Sequence, residues 1–160
     1  LLPLDPERHR RVLVVSTGVV LPWLSEPLPF ALPELLAERS FEVTLHRPGM
    51  AITPDAFDLV LFLLGEETLL TRGHIFLDWW RLMGHFGPAM ERRWHDIPTA
   101  MISFGYPYYL YGAPRVPTYI NAYQTSPFMQ QAVADLLLGK GDWNRNSPVD
   151  PFCGLEDARY

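Results

Sequence analysis

Two adjacent carboxylates, Glu66 and Glu67, are the residues of this sequence whose placement best suits catalytic chemistry. They follow residues 58–64, whose apolar run Leu-Val-Leu-Phe-Leu-Leu is typical of a strand buried on both faces. A carboxyl group at the end of such a strand can be held with a raised pKa, as a general acid requires. The same position also allows a structural role, in which the two carboxylates cap the following helical segment or pair with Arg72.

Four further side chains are candidates to line a substrate cleft. Arg72 and His74 lie in the segment after the two glutamates, and Tyr106 and Tyr108 follow the apolar run at 98–104. Tyrosine rings can stack on a sugar, but their spacing here equally fits packing on a short helix with exposed phenols. The complete aromatic cluster contains Tyr106, Tyr108, Tyr109 and Tyr111.

Nucleophilic catalysis has little support in the sequence. A nucleophile elbow requires Gly-x-Ser-x-Gly or a cysteine equivalent at a strand-to-helix turn. Ser103 lacks the first glycine of that motif, and Cys153 lies in a proline-rich tail. We therefore interpret Cys153 as a small apolar residue, which argues against a glutamine-amidotransferase-like enzyme.

Metal and nucleotide sites are not indicated either. His74, His85 and His95 share one region, but the sequence contains no His-Glu-x-x-His motif and no tight His/Cys cluster. Thr17-Gly18 follows the first predicted strand without a Gly-x-Gly-x-x-Gly or Walker loop. We therefore expect no metal and no cofactor.

Composition restricts the partners of the chain. Its 160 residues carry a net charge of -5, which disfavours nucleic acid as a partner. No apolar run reaches the roughly 18 residues of a membrane span, so no membrane partner is expected. The single cysteine allows no internal disulfide and fits a reducing compartment such as the cytoplasm. The opening Leu1-Leu2-Pro3-Leu4 resembles an internal segment of a longer protein.

Strands and helices alternate along the sequence. Hydrophobic patterns predict core strands at about 12–16, 58–64, 98–104 and 117–122, with 58–64 central and a further strand at 42–46 nearer the sheet edge. Helices are predicted at 33–39, at 74–85 and after Ser126, where Pro127 occupies the first turn. Gly87-Pro88 is expected to break the second helix, which resumes at 89–94, and 106–111 to form a short helical turn. The predicted fold is α/β, a three-layer sandwich with a mostly parallel sheet of five or six strands.

Several short motifs in order resemble one known family. They are Ser103-Phe104-Gly105-Tyr106-Pro107-Tyr108-Tyr109-Leu110, Val116-Pro117-Thr118-Tyr119-Ile120-Asn121-Ala122-Tyr123, a helix from Gln130-Gln131-Ala132 to Leu138-Gly139, and Ser147-Pro148-Val149-Asp150-Pro151. Their order is similar to that in the C-terminal domain of family 3 glycoside hydrolases, in the β-N-acetylhexosaminidase branch. The resemblance is strongest over 98–151, and the aromatic-rich middle at 65–95 departs from it.

The resemblance implies an accessory role. The parent enzyme would carry an N-terminal (β/α)8 barrel with an aspartate nucleophile and would retain anomeric configuration. The acid/base would be a His–Asp pair of the barrel in the hexosaminidase branch, or a glutamate of the C-terminal domain in the β-glucosidase branch. Residues 1–11 would end an interdomain linker, and 12–160 would form a domain that covers the barrel and is inactive alone. The alternative is a free-standing flavodoxin-like module that binds a small ligand or a protein.

Overall fold

The structure is a computed structural model that describes residues 1–67, 76–143, 146–152 and 154–156. Its five strands form one parallel sheet in the order β2-β1-β3-β4-β5. The strands are β1 Arg11–Val20, β2 Glu42–Leu45, β3 Leu59–Glu66, β4 Thr99–Ser103 and β5 Tyr119–Asn121. The helices are α1 Leu32–Ala37, α2 Trp79–Met83, α3 Phe86–Met90 and α4 Pro127–Leu137. The predicted α/β class, with β3 central and β2 at the edge, is confirmed.

The apolar runs form buried strands because each strand sends side chains to two cores. Along β3, Leu59, Leu61 and Leu63 face one core, and the alternate residues face the other. Helices α1 and α4 cover the first core through residues such as Leu36 and Leu137. Helices α2 and α3 cover the second core. We call these coverings the α1/α4 layer and the α2/α3 layer.

The first strand is longer than predicted because of an irregularity near its end. Pairing with β3 shifts between Ser16 and Val19, and Gly18 between them has a φ of 72°. Val19 and Val20 then pair with Gly65 and Glu66, so β1 runs four residues past the predicted end at Ser16.

The helices of the α2/α3 layer also differ from the prediction. The break lies at Gly84, whose φ of 73° ends α2, and Gly87-Pro88 lies inside α3. Pro88 is tolerated because it occupies the first turn of α3, where a backbone N–H has no intrahelical partner. Helix α2 begins after Asp78, whose carboxylate accepts a hydrogen bond from the Arg81 N–H at 3.0 Å. Residues 74 and 75, where this helix was predicted to begin, lie outside the described residues.

Two short 3₁₀ turns flank β4. Arg93–His95 forms a 3₁₀ turn where the helix was predicted to resume, and Tyr109–Gly112 forms another within the predicted turn at 106–111. None of the helices in the described part of the chain has the length and apolar character to cross a membrane.

Candidate functional site

A cleft of about 280 Å³ opens at the carboxyl ends of β1 and β3. The two strands are neighbours in the sheet, and the chain leaves them toward opposite sides of the order 2-1-3-4-5. Open α/β sheets place their ligands at such a reversal point. The polar residues that line the cleft are Ser16, Thr17, Glu66, Asp78, Arg81 and Tyr109.

Glu66 reaches this cleft because of its position on the strand. It has the same phase as Phe62 and Leu64 and therefore lies on the side of the α2/α3 layer. Its carbonyl oxygen accepts a hydrogen bond from the Tyr106 N–H at 2.7 Å. The Thr17 hydroxyl accepts the N–H of Gly65 at 2.9 Å, which ties the ends of β1 and β3 together.

Glu67 points to the opposite side of the sheet. Its carboxylate accepts hydrogen bonds from the Thr125 N–H at 2.6 Å and from the Thr125 hydroxyl at 2.5 Å. The Thr125 carbonyl in turn accepts the side-chain amide of Gln130 at 2.7 Å. Gln130 is buried, and its amide oxygen accepts the N–H groups of Ala31 and Leu32 at the start of α1. The exposed Glu67 therefore ties the end of β3 to the buried side chains of Thr125 and Gln130 at the start of α4.

The strand ends meet closely at Gly105. A Cβ at this position would lie 2.2 Å from the Glu66 carbonyl oxygen and 2.7 Å from the Glu67 Cα. These distances are far inside van der Waals contact, so a glycine is required where the chain leaving β4 passes both glutamates.

The tyrosine cluster contributes to the cleft through Tyr109, which the sequence placed in the cluster but not among the cleft candidates. Tyr109 is buried and lines the cleft, whereas Tyr106 and Tyr108 are not among its lining residues. The Tyr106 ring packs edge-on against Tyr108 and Tyr109, with centroids 5.2 Å and 5.5 Å away. Tyr111 is exposed. Packing therefore accounts for most of this cluster.

Three of the residues discussed from the sequence fall in parts of the chain that the structure does not describe. Arg72, His74 and Cys153 lie outside the described residues. The described segments contain no group of three His, Cys, Asp or Glu side chains that could hold a metal ion. Ser16, Thr17, Asp78 and Arg81 were missed as cleft residues, although Thr17-Gly18 had been noted at the end of the first strand.

The chemistry of the cleft is that of polar binding. Glycoside hydrolysis requires two carboxyl-type groups, or a nucleophile and an acid, on either side of one bond. Of the two cleft carboxylates, Asp78 is already used as the cap of α2. The cleft offers hydroxyl, carboxylate and guanidinium groups, which suit contacts with sugar hydroxyls or with another polypeptide.

Known proteins with a similar sequence or structure cover nearly the whole chain. No protein-family profile matches it. A protein from Cellulomonas fimi, a β-N-acetylglucosaminidase/β-glucosidase, is 33% identical over 175 residues, which cover 98% of this chain and 30% of that protein. The solved structure of the β-glucoside phosphorylase BglX superposes with a TM-score of 0.79 at 30% identity, over 99% of this chain and 29% of the other.

A third relative matches at lower identity. The structure of a glycoside hydrolase family 3 β-N-acetylglucosaminidase from Paenibacillus sp. str. FPU-7 gives a TM-score of 0.55 at 19% identity, over 86% of this chain and 26% of that chain. It shows the shared fold alone. The chain thus spans about 30% of the length of the relatives that it matches most fully. The resemblance found in the sequence is confirmed, since the chain is similar in sequence and in its α/β fold to a part of proteins of the family 3 glycoside hydrolase type.

Proposed function

We propose that this chain is the accessory C-terminal domain of a retaining β-N-acetylglucosaminidase-like enzyme, here called the parent. In this proposal the domain covers the active-site face of the parent's (β/α)8 barrel, helps to shape the substrate cleft and supplies no catalytic group. The relatives' names support β-linked glucose or N-acetylglucosamine as the sugar. The sequence motifs at 103–123 favour N-acetylglucosamine.

The observation that carries the proposal is the apolar character of the carboxyl edge of the sheet. Exposed apolar side chains lie in segments that leave the carboxyl ends of β1, β4 and β5, and they include Trp23 at 75% exposure and Phe128 at 89%. We call this set the carboxyl-edge residues; it comprises Trp23, Leu24, Leu28, Tyr111, Tyr123 and Phe128. Apolar side chains collected at one edge are typical of a surface that another domain covers.

The contacts of the two glutamates support the absence of a catalytic group. Glu67 is held by Thr125, and Glu66 lies on the other side of the sheet. The two carboxylates therefore do not face one common bond, as a hydrolytic pair must.

The proposal can be tested by adding this chain to a separately produced catalytic portion of the parent. We expect the two pieces to associate and the mixture to regain turnover of an aryl β-N-acetylglucosaminide. Phe128→Ser, at the carboxyl edge, should weaken association by about tenfold. Phe86→Ser is the matched control, because Phe86 is also exposed, at 61%, but belongs to α3. Failure of the unsubstituted chain to associate, or equal effects of both substitutions, would contradict the proposal.

The same assay distinguishes hydrolysis from phosphorolysis by the parent. One relative is named a phosphorylase and another a glucosidase. Turnover is therefore measured with and without inorganic phosphate, and the sugar product is identified. A glycosyl phosphate indicates phosphorolysis by the parent, and the free sugar indicates hydrolysis.

One observation favours a second candidate. The strand order is that of flavodoxin-like domains, and the cleft lies at the reversal point between β1 and β3. A free-standing module that binds a small ligand there has the same architecture. The length of the natural reading frame separates the two, since the favoured proposal requires a barrel of about 300 residues upstream and the second does not.

A further inference from the structure

A second cavity lies on the sheet face that the α2/α3 layer covers, over the amino-terminal halves of β3 and β4. Its volume is about 240 Å³, just below the roughly 300–1,000 Å³ of pockets that hold drug-sized ligands. Its apolar walls are formed by Ile52, Val60, Phe62, Trp79, Met83 and Trp94. The size and lining suit a compact ligand with an apolar body.

The Arg92 guanidinium lines this pocket and packs against two tryptophan rings. The Arg92 guanidinium carbon lies 3.7 Å from the ring centroid of Trp79 and 5.8 Å from that of Trp94. Stacking of this kind holds the guanidinium through its flat face and leaves the N–H groups at its edge available. Burial lowers the pKa of Arg92.

Within the described part of the chain, Arg92 donates hydrogen bonds through one of its three nitrogens. Nη1 donates to the carbonyl oxygens of Ala89 and Glu91 at 2.6 Å and 2.9 Å. Nε and Nη2 donate to no atom of the described residues, and no ion pair with a described carboxylate is formed. A guanidinium with an open Nε/Nη2 edge has the geometry that accepts a carboxylate through two parallel hydrogen bonds.

The other two charged residues that line the pocket, Glu91 and Arg93, form an ion pair with each other. Glu91 accepts hydrogen bonds from Nε and Nη2 of Arg93 at 3.0 Å and 2.8 Å. Arg93 also lies 3.5 Å from Asp96. Of the two arginines that line the pocket, Arg93 therefore has acidic partners, and Arg92 has none among the described residues.

We propose that this pocket is a binding site for a small carboxylate with an aromatic or aliphatic body. The carboxylate binds the Nε/Nη2 edge of Arg92, and the body packs against the apolar walls. A neutral sugar fits less well, because Arg92 already covers a face of Trp79 that would stack on a sugar ring. This site is separate from the carboxyl-edge cleft, and the inference does not depend on the function proposed for the chain.

The test uses phenylacetate as the probe on this 160-residue chain. Binding is followed by two-dimensional ¹H–¹⁵N NMR through the indole N–H signals, which are assigned with Trp79→Phe and Trp94→Phe. We expect phenylacetate to shift the signals of Trp79 and Trp94 in a saturable manner at concentrations up to about 10 mM, with Trp23 and Trp143 unchanged. Phenylacetamide has the same shape without the charge and should bind at least about tenfold more weakly.

The arginine is tested directly with Arg92→Gln. This substitution should weaken phenylacetate binding by at least about tenfold, whereas Arg10→Gln, which removes an exposed arginine paired with Glu42, should leave it unchanged. Equal affinity for acid and amide, no saturable shift, or unchanged affinity in Arg92→Gln would overturn the proposal. The comparison of acid with amide needs no variant, so it decides even if Arg92→Gln does not fold. Inorganic phosphate is a further probe, and binding as tight as that of phenylacetate would show that the apolar walls play no part.

Discussion

The two helical layers that cover the sheet are built differently. Helix α4 has 11 residues, and the α1/α4 layer is fastened by the hydrogen bonds of Glu67, Thr125 and Gln130, of which Thr125 and Gln130 are buried. The α2/α3 layer consists of two five-residue helices and lines both the carboxyl-edge cleft and the apolar pocket. Short helices cover less of the sheet, so this layer leaves open the two cavities in which side chains are accessible.

Glu66 and Glu67 differ in the same way, since one lines a cleft and the other holds two elements together. The two residues are adjacent, but successive side chains at the end of β3 point to opposite faces, so Glu66 lies at the cleft and Glu67 bonds to Thr125 on the other side. Proximity to a strand end therefore does not show that a carboxylate is available for chemistry. The contacts of each side chain decide whether it binds ligands or holds elements together.

The largest effect on stability is expected at Gly105, where the chain leaving β4 passes the end of β3. Gly105→Ala places a Cβ 2.2 Å from the Glu66 carbonyl oxygen, so the ends of β3 and β4 must separate. We expect a loss of about 3 kcal/mol or more in the free energy of unfolding, measured by urea denaturation. Gly87→Ala is the control, because its Cβ has open space and alanine favours a helix; it should be neutral or slightly stabilising. Equal stability of the two variants would disprove the close approach.

The anchored layer is tested with Gln130→Ala. The substitution leaves the N–H groups of Ala31 and Leu32 and the Thr125 carbonyl without their partner in a buried environment. We expect a loss of about 2–3 kcal/mol in the free energy of unfolding. Gln131→Ala removes only a hydrogen bond to Asp135 and should change it by less than about 0.5 kcal/mol. A small effect of Gln130→Ala would mean that the network does not fasten α1 to α4.

The opposite end of β3 allows a test that depends on pH. Arg11 donates to the Asp58 carboxylate through its backbone N–H at 2.8 Å and its Nη2 at 2.6 Å, and these bonds lower the pKa of Asp58. Asp58→Asn should cost about 1–2 kcal/mol in the free energy of unfolding at pH 7. Glu42→Gln, which breaks an exposed pair with Arg10, should cost less than about 0.5 kcal/mol.

The sign of the pH dependence follows from the lowered pKa. The stabilisation by Asp58 is complete above its ordinary pKa of 3.8 and is lost as the pH falls through the lower value of the folded state. Urea denaturation at pH 7, 5 and 3 should therefore show a difference between wild type and Asp58→Asn that is equal at the two higher values and smaller at pH 3. A difference that grows on acidification would contradict the ion pair.

The smallest effects are expected for the two glutamates in catalysis. In the parent, Glu66→Gln and Glu67→Gln should each lower kcat/KM by less than about tenfold, equivalent to roughly 1.4 kcal/mol. Removal of a general acid would cost about 10²–10⁴-fold. A loss of that size in Glu66→Gln, rescued by azide, would mean that this domain supplies the catalytic acid and that the parent follows the β-glucosidase pattern.

Much of the fold was predictable because its strands are long apolar runs in a regular order. The central place of β3 followed from the apolar run Leu59–Leu64, and the start of α4 followed from Ser126 and Pro127, where the Ser126 hydroxyl accepts the Met129 N–H. The break at Gly84 was missed because a left-handed glycine leaves a weaker sequence signal than Gly87-Pro88.

The site was less predictable because it depends on long-range contacts. Thr125 and Gln130 meet Glu67 and α1 from more than 50 positions away. Thr125 belongs to no short motif, and Gln130 was noted only within a family motif. The Arg92 cluster is of shorter range, since Trp94 is two residues away and Trp79 lies in α2 on the other side of α3.

We proposed that this chain supplies no catalytic group of its own. The direct measurement is turnover by the pure, folded chain of nitrophenyl β-N-acetylglucosaminide and nitrophenyl β-glucoside, each with and without phosphate. We predict that release of nitrophenol does not exceed that of a heat-inactivated sample. Turnover above that control, lost in Glu66→Gln, would contradict the account and place an active site in the cleft between β1 and β3.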